Sequence, residues 1–257
     1  MDGFIKKFSL EGRKAIVTGG AKGLCNSMAQ ALHDAGAEVV LVDILDMVED
    51  SAEKMSKSGA PVHAVKADLS KRESLESAYR DCLEKLGGRV DILLNGAGIQ
   101  YRCPAVDFPQ DRWQKILDIN LSAVFFLSQL AGKTMLQQGY GRIINVASMT
   151  VYCASVLIPA YAASKAGVAQ ITKALSNEWA AGGVNVNAIA PGYMATELTA
   201  NMKTVNPKQY EEITGRIPMG RWGTAEDLQG TVVFLASEAA EYISGAVIPV
   251  DGGFLGK

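Results

Sequence analysis

The sequence predicts an α/β fold, a doubly wound seven-stranded parallel sheet with helices on both faces. Three observations carry that prediction. Short β-branched runs alternate with longer helical patterns along the 257-residue chain. The runs are apolar nearly throughout, as strands covered on both faces must be. A glycine-rich turn, Gly19-Gly20-Ala21-Lys22-Gly23, follows the first run and opens the first helical pattern.

The elements follow in order. Residues 14–18 (KAIVT) read as the first strand and 23–35 as the helix after it. A second strand covers 38–42, with a helix near 46–58. The third strand, 62–66, leads into a helix over 72–86, and the fourth, 90–94, into a long helix over 111–138. The fifth strand, 142–146, precedes a helix over 160–181. The sixth is 184–189, a helix covers 224–237, and 246–250 closes the sheet as the seventh. No Pro/Gly/Ser linker and no repeat interrupts the alternation, so residues 1–257 are read as one domain. Residues 193–217 stand apart: polar, Met-containing, and broken by Pro207. Such an insertion beyond a strand end is either a substrate lid or a static helical pair.

Composition narrows the function classes. Apolar residues make up 48% of the chain, enough for a large core, and the formal charge is −2 with both signs interspersed. No basic run suggests nucleic acid. Apolar stretches stop short of the roughly 20 residues a membrane span needs. No apolar leader follows Lys6 and Lys7, so the expected location is cytoplasmic. Cys25, Cys82, Cys103 and Cys153 form no C-x-x-C pair, and only His33 and His63 accompany them, so reduced thiols and no metal site are expected.

The glycine-rich turn lets a backbone approach a pyrophosphate, which the helix start can meet with free N–H groups. Gly19, Lys22, Gly23 and Leu24 are therefore candidate dinucleotide contacts. Asp43 ends the second strand, 20 residues beyond Gly23. A carboxylate there accepts from ribose hydroxyls and repels a 2′-phosphate, which argues for NAD over NADP. Lys22 pulls the other way, and Asp43 has the alternative role of a loop or helix-capping acid. Asp68-Leu69 after the third strand, and Asn95-Gly96-Ala97-Gly98 after the fourth, line the same sheet edge, so Asp68, Leu69, Asn95, Ala97 and Gly98 join the set. Ser148 follows the fifth strand, and Tyr161 and Lys165 stand four apart on the next helix, sharing a face. A neighbouring ammonium favours the phenolate of Tyr161, which can then exchange a proton with an alcohol or ketone. Ser148 can hold the substrate oxygen.

Those stretches resemble the short-chain dehydrogenase/reductase family over essentially the whole chain: TGGAKGL at 18–24, NGAG at 95–98, Asn120, Ser148, YAASK at 161–165, Pro191-Gly192 with Thr196, and VDGG at 250–253. The resemblance implies a Rossmann-like sheet and an Asn120-Ser148-Tyr161-Lys165 tetrad with Tyr161 as acid/base. It implies that Lys165 binds the nicotinamide ribose and lowers the Tyr161 pKa, and that Asn120 holds a water of a proton relay. Pro191, Gly192, Met194 and Thr196 would contact the nicotinamide carboxamide, and the chain would form a homotetramer. Two positions depart from the pattern. Cys25 stands where the family has a third glycine, and Gly96 where it has an asparagine. NEWA at 177–180, NVNAIAPGYMAT at 185–196, RIPMGRWG at 216–223 and GIQYR at 98–102 resemble the branch acting on gluconate and 2-dehydro-3-deoxy-D-gluconate. Arg102 then becomes the expected carboxylate clamp, with Tyr152 and Tyr193 bordering the pocket; a solvated loop arginine is the alternative. A steroid or 3-oxoacyl thioester substrate keeps the same chemistry, and a non-catalytic dinucleotide sensor is the reading from another class. The apolar helix around Ile116, Leu117, Val124, Phe125 and Phe126, with the Tyr161 helix, is the expected subunit contact.

Overall fold

The computed structural model describes residues 2–196 and 202–257. Its elements run α1 (Asp2–Ile5), β1 (Lys14–Thr18), α2 (Gly23–Asp34), β2 (Glu38–Asp43), α3 (Val48–Met55), β3 (Val62–Lys66), α4 (Arg72–Lys85) and β4 (Ile92–Asn95). Then come α5 (Gln110–Leu117), α6 (Ala123–Gln138), β5 (Gly141–Val146), α7 (Pro159–Trp179), β6 (Val184–Pro191), α8 (Met202–Val205), α9 (Pro207–Arg216), α10 (Gln229–Ala236) and β7 (Val247–Val250). The seven strands lie in the order β3-β2-β1-β4-β5-β6-β7, every neighbouring pair parallel. The order reverses direction between β1 and β4, which opens a crevice beyond their carboxyl ends.

The strands' period of two divides the core. Ala15 and Val17 of β1, Leu41 of β2 and Leu94 of β4 face α2, α3 and α10, where Met28, Leu32, Val48, Val232 and Leu235 meet them. Ile16, Val40, Leu93, Ile143 and Val186 face the other way, onto Leu75 of α4, Leu127 and Met135 of α6, and Leu175 of α7. Fully burying one such side chain stabilises the fold by about 1.5–3 kcal/mol. At the sheet's amino end the buried carboxylate of Asp91 accepts from Arg89 at 2.7 and 2.9 Å and from the Lys14 N–H at 3.0 Å.

Two sequence expectations change. The predicted long helix over 111–138 is interrupted: a π-helical turn, Asp118–Ser122, separates α5 from α6. The predicted final helix starts as a 3₁₀ turn, Ala225–Leu228, held by a capping box between Thr224 and Asp227. The lid segment contains α8 and α9; residues 197–201 of it lie outside the described residues. Pro207 at the start of α9, with the Asn206 side chain accepting from the Gln209 N–H at 3.2 Å, sets that helix's start.

Candidate active site

The chemistry-bearing groups gather at the carboxyl ends of β1, β4, β5 and β6. Thr18, the last residue of β1, ties the first turn to the fourth: its Oγ1 accepts from the N–H groups of Gly96 at 3.0 Å and Ala97 at 3.2 Å. The turns touch so closely that a Cβ on Gly19 would lie 3.0 Å from the backbone of Ala97, and Gly19 has φ +72°. Only glycine suits both constraints. α2 begins at Gly23, and no side chain caps its start. Open space surrounds the place a Cβ would take on Gly23. An uncapped helix start behind an open glycine turn is what a pyrophosphate requires.

α7 carries Tyr161 and Lys165 to the same crevice. Lys165 is buried, and its Nζ donates to the Val146 carbonyl at the end of β5 at 2.6 Å. Burial lowers the pKa of its amine to about 8. Nζ would lie 3.7 Å from a Cβ on Gly98, and Asn120 Oδ1 3.3 Å, so the fourth-strand turn, the π-turn and α7 converge there. Ser148 is buried and hydrogen-bonds the Tyr161 side chain. Its own Oγ also accepts from the Thr150 N–H at 3.2 Å, which fixes the loop after β5.

Several expected roles change with these positions. Burial raises the Tyr161 phenol above its ordinary range, and the Ser148 hydrogen bond offsets only part of that. The Lys165 amine is 5.8 Å from the ring centroid and turned to Val146. The Asn120 side chain is held by three hydrogen bonds. Its Oδ1 accepts from the Ile99 N–H at 2.8 Å, and its Nδ2 donates to the Ile99 carbonyl at 2.9 Å and Ser164 Oγ at 3.2 Å. It therefore clamps the loop leading to Arg102. Asn95 points into the sheet, donating to Ser128 Oγ at 3.0 Å and Asn145 Oδ1 at 2.9 Å, so its side chain is structural. Leu69 is likewise a core side chain. Asp68 accepts from both the N–H and the hydroxyl of Ser70, at 3.0 and 2.7 Å, which hold its carboxyl below the usual range.

The remaining candidates divide. Pro191 ends β6, and Gly192 packs so tightly on Asp251 that a Cβ would lie 2.6 Å away. Met194 is buried and bridges to Gly223; Ala195 N–H donates to the Gly223 carbonyl at 2.7 Å, so Thr196 leaves a fixed ledge. Lys22 and Leu24 flank Gly23 at the glycine-rich turn, Lys22 exposed and Leu24 half-buried. Arg102 is exposed and pairs with no acidic group among the described residues, while its neighbour Cys103 donates its N–H to the Leu157 carbonyl at 2.9 Å. That bond joins the Arg102 loop to the segment entering α7, at Leu157, whose φ is +67°. Tyr152 is half exposed and its hydroxyl donates to the Val247 carbonyl of β7 at 2.6 Å. Tyr193 sits in an aromatic wall with Trp222 at 5.2 Å and Phe254 at 5.3 Å, and Tyr210 of α9 stacks on Trp222 at 5.1 Å. Trp222, Phe254 and Tyr210 escaped sequence reasoning because nothing local marks aromatics from three segments as neighbours. Among the described residues there is no cluster of metal-ligating side chains, and no helix long and apolar enough to cross a membrane.

A family model described as enoyl-(acyl carrier protein) reductase matches residues 19–255. The 2-dehydro-3-deoxy-D-gluconate 5-dehydrogenase of Bacillus subtilis (strain 168) is 43% identical over 252 residues, 97% of each chain. A Beutenbergia cavernae protein designated an NAD(P)-dependent gluconate 5-dehydrogenase, solved with NADP at low occupancy, superposes with TM-score 0.93 at 43% identity. The match covers 98% of this chain and 100% of that one. A protein from Agrobacterium tumefaciens designated a 2-deoxy-D-gluconate 3-dehydrogenase, with bound NADP, gives TM-score 0.90 at 41% identity, covering 98% and 99%. These NADP-bound structures overturn the expectation that Asp43 selects NAD. The geometry supplies the reason. Asp43 Oδ2 accepts from the Ala21 N–H at 3.0 Å and Oδ1 from the Leu45 N–H at 3.1 Å, so its carboxylate organises the two loops.

Proposed function

The chain belongs to the short-chain dehydrogenase/reductase family, and from that premise we propose an NADP(H)-linked enzyme that interconverts a secondary hydroxyl and a ketone on a hexonate of the gluconate or 2-dehydro-3-deoxy-D-gluconate kind. The observation that carries the chemistry is the convergence of Ser148, Tyr161, Lys165, Gly98 and Asn120 in one crevice. The relatives' designations as sugar-acid dehydrogenases support the substrate class. So does the exposed guanidinium of Arg102, in the loop after β4, which suits a carboxylate.

Gly19, Gly23 and the start of α2 would hold the pyrophosphate, with Lys22 beside it. Gly98, Lys165, Pro191, Gly192 and Thr196 would border the nicotinamide. When bound, that ring supplies or accepts the hydride. Ser148 orients the substrate oxygen. Tyr161 gives a proton to it in reduction and takes one in oxidation. Lys165 turns from Val146 toward the ribose and, charged below about pH 8, favours the phenolate. The segment 193–217 acts as a lid over the substrate, hinged near the fixed ledge and anchored through Tyr210. The exposed Ala163 and Ala166 of α7, with the half-buried Phe125 and Phe126 of α6, form part of a homotetramer contact.

Two variants test the reading, followed at the nicotinamide absorbance. Tyr161→Phe should abolish turnover and retain NADPH binding; turnover above a few per cent would refute the proton role. Arg102→Ala should raise KM for the hexonate about tenfold or more and leave a neutral polyol unaffected. Equal effects on both substrates would remove the clamp.

A further inference from the structure

We infer that Cys25 is a cofactor-positioning residue that acts through Gly96, the two forming one interlocked pair at the seam between the pyrophosphate turn and the nicotinamide-side turn. Gly96 has no positive φ, so its backbone does not require glycine. Its missing side chain is required by Cys25. A Cβ on residue 96 would lie 2.2 Å from Cys25 Sγ, 3.3 Å from Cys25 Cβ and 3.0 Å from the Thr18 carbonyl. Cys25 lies in the first turn of α2 and is 7% exposed. The thiol thus fills, from the helix side, the space a side chain would otherwise fill from the loop side.

The seam is where the dinucleotide's two ends are held. Gly19 and the start of α2 stand on one side; Ala97 and Gly98, next to Lys165, stand on the other. Thr18 Oγ1 bonds the two turns together, and the thiol sets how far apart they stand. Burial pushes the Cys25 thiol up to about 12, so it remains neutral and works by shape. The inference deepens the dinucleotide reading above and rests on it.

A four-member cycle tests it: wild type, Gly96→Ala, Cys25→Gly and Cys25→Gly/Gly96→Ala, with Cys25→Ser as the conservative variant. NADPH affinity is read by fluorescence titration, alongside Tm, kcat and KM. Gly96→Ala should weaken NADPH binding about tenfold, because relieving the overpacked seam displaces the turns that meet the cofactor. The double variant should return to within about threefold of wild type, and Cys25→Ser should stay there too. kcat at saturating NADPH should change less than twofold across the set. A double variant binding no better than Gly96→Ala, or Gly96→Ala binding as wild type does, overturns the pairing. Lowered Tm with unchanged affinity also overturns the positioning role, since it shows packing alone. If Gly96→Ala does not fold, the double variant decides: folding with NADPH binding supports the pair, and failure to fold overturns it. NADH is titrated in parallel. Wild type that binds NADH and not NADPH refutes the NADP assignment, and the cycle is then read with NADH. Wild type that binds neither overturns both.

Discussion

Replacing Lys165 by methionine should make the cofactor-free protein more stable near neutral pH while destroying its activity. The amine is 4% exposed, and burial moves its pKa from 10.5 to about 8. Holding it charged in the folded chain therefore costs about 3 kcal/mol. Methionine removes that cost, fills similar volume, and leaves the Val146 carbonyl without its donor at 2.6 Å. An unsatisfied carbonyl costs about 1–3 kcal/mol, so a net gain of about 1 kcal/mol remains. In a chain of this size that is a rise of about 2–4 °C in Tm. The pH dependence fixes the sign. Below about 8 the amine is charged in both folded and unfolded chains, and the full cost is present. Between about 8 and 10.5 the folded amine loses its proton first, so wild-type stability gains with pH. The difference between variant and wild type should shrink through that window and reverse above it, when only the lost hydrogen bond is left. Urea unfolding of both proteins at pH 7 and pH 10, without NADP, measures it. A variant less stable than wild type by the same amount at both pH values would refute the buried-charge argument.

Other perturbations follow from single contacts. Thr18→Val removes the acceptor for two N–H groups, of Gly96 and Ala97; it should cost about 1–3 kcal/mol in urea unfolding and weaken NADPH binding. Asp91→Asn breaks the two-oxygen pairing with Arg89 on a fully buried carboxylate. The arginine can rehydrate, so a loss of about 2–3 kcal/mol with unchanged kcat is expected. Asn120→Leu frees Ile99 and the loop bearing Arg102, and should raise KM for the hexonate while NADPH affinity holds. Tyr152→Phe removes one bond to β7 and should cost about 1 kcal/mol or less, with kinetics unchanged.

The parallel sheet was legible because each strand is a short apolar run and each crossover a helix-length pattern, and the observed strand limits differ from expectation by only a residue or two. The Tyr161 and Lys165 relation was legible because helical spacing alone puts them on one face. Less was readable wherever a residue's partner is distant in sequence. Asn95 and Leu69 stand next to the crevice in sequence, yet the end of β4 and the turn after β3 direct their side chains into the core. Asp43 looked like a ribose ligand, but besides the local Leu45 N–H it accepts from Ala21, in a turn that only the folded chain brings beside it. Cys25 and Gly96 appeared as two separate departures 71 positions apart, and only their contact makes them one. The break between α5 and α6 left no signal, since a π-turn is one surplus residue in an otherwise continuous helical pattern.

That surplus residue has a consequence for how the two halves are phased. Successive residues of an α-helix are turned by about 100°, so winding the same residues as an unbroken α-helix, without the wider turn at Asp118–Ser122 to take up the extra one, would twist one half against the other. Either Asn120 would swing off Ile99, or Leu127, Ala131 and Met135 would rotate out of the layer they pack in. The wide turn thus works as a phase adjuster, letting the mouth-side half and the core-side half of one helix each keep the azimuth its own neighbours demand.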